Sequence, residues 1–331
     1  MTDGTLTHLA SMHVAGRPYT VSEYNHPMPN SYAAEGFPML AAYGRFQHWD
    51  GIFMFTYTHS ADFTPDVVDS FFNVAGETPK MAHMIACSNL FLRGDAKESL
   101  EVIKIPFSEQ RERDLLYEYL NPRAASLGNL GIDPEYALVH GIELDMKGQE
   151  SPLGPLPETK KLISDTRQIL YDMTDTEKGI FIVRTPKTIV LTGFLDPEAL
   201  YNLGDIAVRV GETRLGWATI SITSIDGEDL TSSGRVLVAA TGWFQNTDME
   251  LQELGDNRVT LCSKWGKAPV LCEGIPLALQ MNVPADQVAC YPLKPDGSRE
   301  AAVQFRSENP GVTQMILGPE YKTVWYEIEI K

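Results

Sequence analysis

Residues 17–57 read RPYTVSEYNHPMPNSYAAEGFPMLAAYGRFQHWDGIFMFTY, and the order of their β-prone, turn and helical segments decides the class of the N-terminal part. Tyr19 to Tyr24 is a short β-prone run, entered through Gly16 and Pro18 and left through Pro27 and Pro29, which predicts a strand. Asn30 or Ser31 is placed to cap a helix in which Phe37, Leu40, Ala41 and Gly44 fall at i, i+3, i+4 and i+7, one face for packing on a sheet. Trp49 to Tyr57 follows, almost continuously apolar and aromatic, as expected of a strand buried on both faces. Pro79 then suits the first turn of a helix running through Met81, Met84, Ile85, Ser88, Asn89 and Leu92 to Gly94. Strand, helix, strand, helix is the grammar of a parallel α/β sheet.

Further on the grammar changes. Strands are predicted at 180–184, 188–192, 206–210, 219–225, 235–241, 259–261, 302–305 and 323–330, separated by Gly, Asp, Asn and Pro. Eight short strands without helices between them imply an all-β sandwich. Between the two parts, Leu100 to Phe107 reads as a strand, Glu109 to Tyr119 as a charged helix, and 120–160 as an excursion rich in Gly and Pro. The expected organisation is therefore an α/β part over 1–95, a connecting region over 96–160 and a β-sandwich over 161–331.

Composition bounds the partners. With 331 residues the chain is long enough for about two domains. Its net charge of −17 disfavours phosphate backbones and anionic lipid surfaces and leaves neutral ligands such as sugars unpenalised. No run of 18 apolar residues suggests a membrane span. The first residues lack the basic and apolar segments of a signal peptide, which implies the cytoplasm if Met1 is the true start. Cys87, Cys262, Cys272 and Cys290 read as free thiols, although Cys262 and Cys272 have the option of facing each other across a hairpin. The seven histidines have no metal-ligand spacing, Asp165, Asp172 and Asp175 read as turn caps rather than a calcium loop, and no cofactor is implied.

The chemistry-bearing run is Ser22-Glu23-Tyr24-Asn25-His26. A carboxylate at the C-terminal end of a barrel strand projects into the mouth where substrates bind and serves as nucleophile or general base, which makes Glu23 the catalytic candidate. Tyr24, Asn25 and His26 follow it directly, and Tyr57 and His59 end the next predicted strand. Aromatic faces and polar groups of this kind suit pyranose rings. Trp217, Trp243, Trp265 and Trp325 are expected to pack the sandwich.

The run from Arg17 to Tyr57 resembles the last two β/α units of the clan A glycoside hydrolases, TIM barrels that carry catalytic carboxylates after strands four and seven. SDTRQILYD (164–172), FIVRTPKTIVLTGF (181–194), KAPVLCEG (267–274) and YKTVWYEI (321–328) look like the all-β domain that follows the barrel in β-galactosidase-like and cellulase-like members. The resemblance implies a truncated half barrel followed by a β-sandwich, Glu23 as nucleophile, and a β-linked oligo- or polysaccharide as substrate. It departs from the family in one large respect: the acid/base glutamate lies upstream of anything present here. Glu35, Asp62, Asp66, Glu143 and Asp145 are the candidates for a second carboxylate, or a partner subunit supplies it. A homodimer or higher homo-oligomer is expected, because an open parallel sheet leaves an edge to be covered. The alternatives are a carbohydrate-binding remnant without catalysis and another hydrolase such as an esterase, for which no G-x-S-x-G elbow is present.

Overall fold

The computed structural model describes residues 4–120, 125–256, 258–305 and 309–331. Met1 and residues 121–124 of the expected excursion lie outside them. The chain is rich in sheet, 31% strand against 18% helix. It divides into two compact units, one built from residues 1–24, 39–53 and 90–183, the other from 25–38, 54–89 and 184–331.

In the first unit, Thr20–Tyr24 pairs with Gly51–Met54 in a two-stranded sheet, and Val102–Pro106 pairs in parallel with Gly141–Asp145 in another. A parallel bridge joins Val14 to Leu144. Among the described residues these pairings make two separate small sheets and not the continuous parallel sheet that a half barrel requires. Gln47, buried at the end of helix Gly36–Phe46, fastens the unit: its Nε2 donates to Ala137 O at 2.6 Å and His140 O at 2.8 Å, and its Oε1 accepts from Ile142 N at 2.9 Å. All three of its amide functions are thus satisfied inside the protein. An antiparallel meander of Lys161–Ile163, Ile169–Asp172 and Ile180–Arg184 completes the unit.

The strand expected over Trp49 to Tyr57 is shorter and wetter than the sequence implies. It covers Gly51–Met54, and Phe53 is 58% exposed. Residues 55–57 leave it because their backbone pairs elsewhere: Thr56 N donates to Phe72 O, and Thr56 O and Tyr57 O accept from Val74 N and Ala75 N.

The second unit holds the large antiparallel sheets expected of a sandwich. Five of its strands lie in the order Val288–Pro292, Trp325–Ile330, Val236–Thr241, Trp217–Ser224, Thr188–Phe194, and a four-stranded sheet runs Thr313–Leu317, Leu277–Met281, Ile206–Val210, Tyr201–Asn202. In the four-stranded sheet burial alternates along the three longer strands, so one face is inside, as in a sandwich layer. Residues 302–305, expected as a strand, form none; Val303 N donates to Cys290 O instead. All four cysteines are free.

Strand Trp217–Ser224 alternates Ile220 and Ile222 with Thr219, Ser221 and Thr223, a pattern that suggests one wet face, yet every residue is buried. The polar face is satisfied by partners. Thr192 and Thr188 hydroxyls pair with those of Thr219 and Thr223 at 2.6 Å, and Asn89 donates to Thr223 Oγ1 at 2.8 Å. His83, wholly buried at the break between helices Thr78–Ala82 and Met84–Phe91, bonds Ser221 Oγ and Thr241 Oγ1 at 2.8 Å through its two ring nitrogens. Burial lowers the His83 pKa to about 3, so the ring is neutral and serves once as donor and once as acceptor.

Replacing His83 by Ala leaves two buried hydroxyls short of a partner and opens a cavity, and is expected to cost roughly 3 kcal/mol in urea unfolding. Because the folded pKa is depressed, the unfolded chain takes up the proton first. The His83 contribution is therefore full above pH 6.5 and declines towards pH 3. The deficit of the Ala variant relative to wild type should shrink as the pH falls through that window.

Candidate functional site

Glu23 occupies the fourth position of strand Thr20–Tyr24, its side chain exposed and making no hydrogen bond or ion pair among the described residues, while Tyr24 beside it is buried. The strand enters from Tyr19, whose N–H donates to Asp50 Oδ2 at 2.8 Å and whose hydroxyl donates to Leu9 O at 2.8 Å. In the same unit, Glu143 is half-buried in Gly141–Asp145. Asp145, at the end of that strand, accepts from Lys147 N at 2.7 Å and Gln149 N at 3.2 Å. Desolvation disfavours its ionised form, but those N–H bonds and the nearby Lys104 and Lys147 ammonium groups outweigh it and hold the carboxyl below its usual range. Asp145 is a turn cap, ionised and occupied.

The remaining predicted residues belong to the second unit. Asn25 is a brace: its Nδ2 donates to Phe55 O at 2.8 Å and Phe72 O at 2.9 Å, and its Oδ1 accepts from Lys80 Nζ at 2.7 Å. Lys80, 1% exposed, also donates to His26 O at 2.6 Å and faces Glu77, fully buried, at 2.8 Å. Burial pushes the Glu77 carboxyl up to about 7 against the pull of Lys80, and burial lowers the Lys80 ammonium against the pull of Glu77. The His26 ring lies against Gly36, where a Cβ would come within 2.9 Å of it. Burial, then the Lys80 charge, lowers the His26 pKa to about 4, so it is neutral at physiological pH.

Asn25 thereby ties together the two ends of a stretch, residues 55–77, that contains neither helix nor strand. Asn73 does the same farther along, its Oδ1 accepting from His59 N at 3.0 Å and facing His59 Nδ1 at 2.7 Å while its Nδ2 donates to Asp69. Asn246 bonds both Val68 N and Val68 O. Tyr57 donates its hydroxyl to Phe63 O at 2.7 Å, with the two rings nearly parallel. Asp62 closes a tight turn by accepting from Thr64 N, and Asp66 is exposed, its carbonyl accepting from Val270 N. Beside Tyr57 and His59, the stretch carries Phe63, Phe71 and Phe72, which are 64%, 48% and 41% exposed. The available signal was four aromatic residues in sixteen positions that carry no apolar periodicity.

Glu35, half-buried in the turn Ala33–Glu35, receives a hydrogen bond from the Trp217 side chain. Burial pushes its carboxyl up to about 7, with the Trp217 bond working the other way. Among the described residues, no group of three or more His, Cys, Asp and Glu side chains converges as a metal site, and no helix is long and apolar enough to cross a membrane.

No family model, no curated protein and no solved structure matches the chain.

Because the Glu35 carboxyl is raised on folding, the folded chain holds a proton that the unfolded chain releases above pH 4.5. Stability from this site is full below that value and falls as the pH rises through about 7. Glu35→Gln keeps an acceptor for Trp217 and removes the titration. Its melting temperature relative to wild type should rise between pH 5 and pH 8, by the equivalent of up to about 3 kcal/mol.

Proposed function

We propose that the chain is a glycoside hydrolase acting on β-linked glycans, with Glu23 as nucleophile or general base. The observation that carries the reading is the state of Glu23: a strand-end carboxylate in the run Ser22-Glu23-Tyr24-Asn25-His26, open to solvent and free of internal partners. A carboxylate kept out of ion pairs and turn caps is available to attack an anomeric carbon or to take a proton from water. In this reading Tyr57 and His59 contact sugar, and Asn25, through Phe55 O and Phe72 O, sets the geometry of the loop that carries them.

Hydrolysis needs a second carboxyl group, about 5–5.5 Å from the first in a retaining enzyme and 6.5–9.5 Å in an inverting one. Asp145 and Asp62 are spent on turns. Supply of the missing group by a second copy of the chain accords with a homodimer. The exposed aromatic side chains of residues 57–72 favour a second reading, in which the chain binds glycans without cleaving them.

Glu23→Gln is expected to leave the fold unchanged, since no internal contact is lost, and to abolish release of reducing sugar from β-1,4-glucans and aryl β-glycosides. Turnover equal to wild type in this variant overturns the assignment of Glu23. A wild-type protein that binds these glycans and releases nothing supports the binding reading instead.

A further inference from the structure

Helix Gly36–Phe46 is closed by a residue type that the position disfavours. His48 N donates to Arg45 O and Trp49 N to Gly44 O, the paired bonds of a helix end that turns through a left-handed residue, and that residue is His48, at φ 59°. Glycine is the usual occupant, and a side chain in this conformation costs about 1–2 kcal/mol. The imidazole kept there has two partners in the loop that leads from helix Met84–Phe91 to strand Val102–Pro106.

Ser99 Oγ lies 2.8 Å from His48 Nε2, and Glu98 Oε2 lies 3.5 Å from His48 Nδ1. A carboxylate only accepts, so Glu98 favours the tautomer with its proton on Nδ1. Nε2 is then the acceptor and the Ser99 hydroxyl the donor. Glu98 is itself held, its Oε1 meeting Arg45 Nη2 at 3.0 Å, and the loop is fixed by Ser99 N, which donates to Phe46 O at 3.0 Å. Gly141 makes the room, since a Cβ there would collide with Ser99 Oγ. Hydroxyl, imidazole and carboxylate in this order are the parts of an activated serine: nucleophile, base and orienting group. The chain has no G-x-S-x-G elbow, and the three groups come instead from a helix end and two consecutive loop residues.

We propose that Ser99 is a nucleophile for acyl transfer, with His48 as its general base and Glu98 positioning His48, and that this site hydrolyses uncharged carboxylic esters. Ser99 Oγ forms a bond to the ester carbonyl carbon as its proton passes to His48 Nε2; the bond from that carbon to the alcohol oxygen then breaks, and the alcohol leaves with the proton. Water repeats the sequence on the acyl-serine, which gives a carboxylic acid and restores Ser99. Ser99 is buried, whereas His48 is half-buried and Leu100, the next residue, is 76% exposed, an apolar contact for the acyl group. Glu98 and Glu101, on either side in sequence, disfavour an anionic ester. The Leu100 and Glu101 N–H groups both donate to Asp165, at 3.0 Å, and are not free to hold an oxyanion. Turnover is therefore expected with esters of good leaving groups. The activity goes beyond the proposed glycan hydrolysis and needs no part of it.

The test treats the full chain with a fluorophosphonate and with p-nitrophenyl acetate. Wild type is expected to take up one phosphonyl group, mapped by proteolysis and mass spectrometry to Ser99, and to release p-nitrophenol in a burst as acyl-serine accumulates. Ser99→Ala loses the adduct and the burst. His48→Gly, which puts the favoured residue at the left-handed position, keeps or raises the melting temperature, slows acylation roughly 100-fold or more, and regains part of the rate when imidazole is added. Glu98→Gln lowers the acylation rate at saturating ester and leaves the half-saturating concentration unchanged. Absence of any adduct on Ser99 in wild type overturns the proposal, as does turnover in Ser99→Ala equal to wild type, or labelling of His48→Gly at the wild-type rate. None of these readouts involves reducing-sugar release, so the ester site and the Glu23 assignment stand or fall separately.

Discussion

A lysine ammonium buried to 1% exposure is the constraint on which the candidate site depends. An isolated charge in that position is prohibitively costly, so Lys80 must be neutralised and its N–H groups must all find acceptors. Glu77 provides the counter-charge, and Asn25 Oδ1 and His26 O provide the acceptors. The segment that follows Glu23 in sequence is thereby fixed to helix Thr78–Ala82 by electrostatics and not by packing. Removing either member of the pair would strand the other, so the arrangement is all or nothing.

From Lys80 the constraint passes outward through Asn25. An asparagine whose oxygen is held by an ammonium group presents both amide hydrogens in a fixed plane, and here they meet the carbonyls of Phe55 and Phe72. This is how residues 55–77 are shaped without a ladder of their own. The same economy recurs elsewhere in the protein: Gln47 in the first unit, Asn246 and His83 in the second. Each is a buried polar side chain whose hydrogen-bonding capacity is spent on backbone or hydroxyl groups. Such groups specify one arrangement because any alternative leaves them unsatisfied.

That economy also marks how far the sequence could be read. Strand Thr20–Tyr24, helix Gly36–Phe46, strand Val102–Pro106 and helix Glu109–Tyr119 follow from local pattern, as do most strands between Ile180 and Thr241, because propensity and turn residues agree there. Gly141–Asp145 lies inside a Gly- and Pro-rich excursion with no local strand signal, and Leu277–Met281 and Thr313–Leu317 carry none either, because LALQM and TQMIL favour helix as much as strand and only antiparallel neighbours decide the matter. The Thr and Ser face of Trp217–Ser224 resembles a wet face, since nothing local announces that His83 and Asn89, well over a hundred residues earlier, will cover it. At the candidate site, Glu23 was legible as a strand-end carboxylate. The brace role of Asn25 was not, because it depends on Lys80, 55 residues away.

A reading in which Asn25 transmits the Lys80 constraint to the aromatic segment has a direct test in amide hydrogen exchange, compared between wild type and Asn25→Ala. The account predicts that the Thr56, Val74 and Ala75 amides, which are bonded to Phe72 O, Thr56 O and Tyr57 O, lose at least about tenfold in protection, while those of Ile220 and Ile222 in the central strand keep theirs. Unchanged protection at 56, 74 and 75 would contradict it, as would an equal loss throughout the sheet, which would make Asn25 a support of global stability and not of the site.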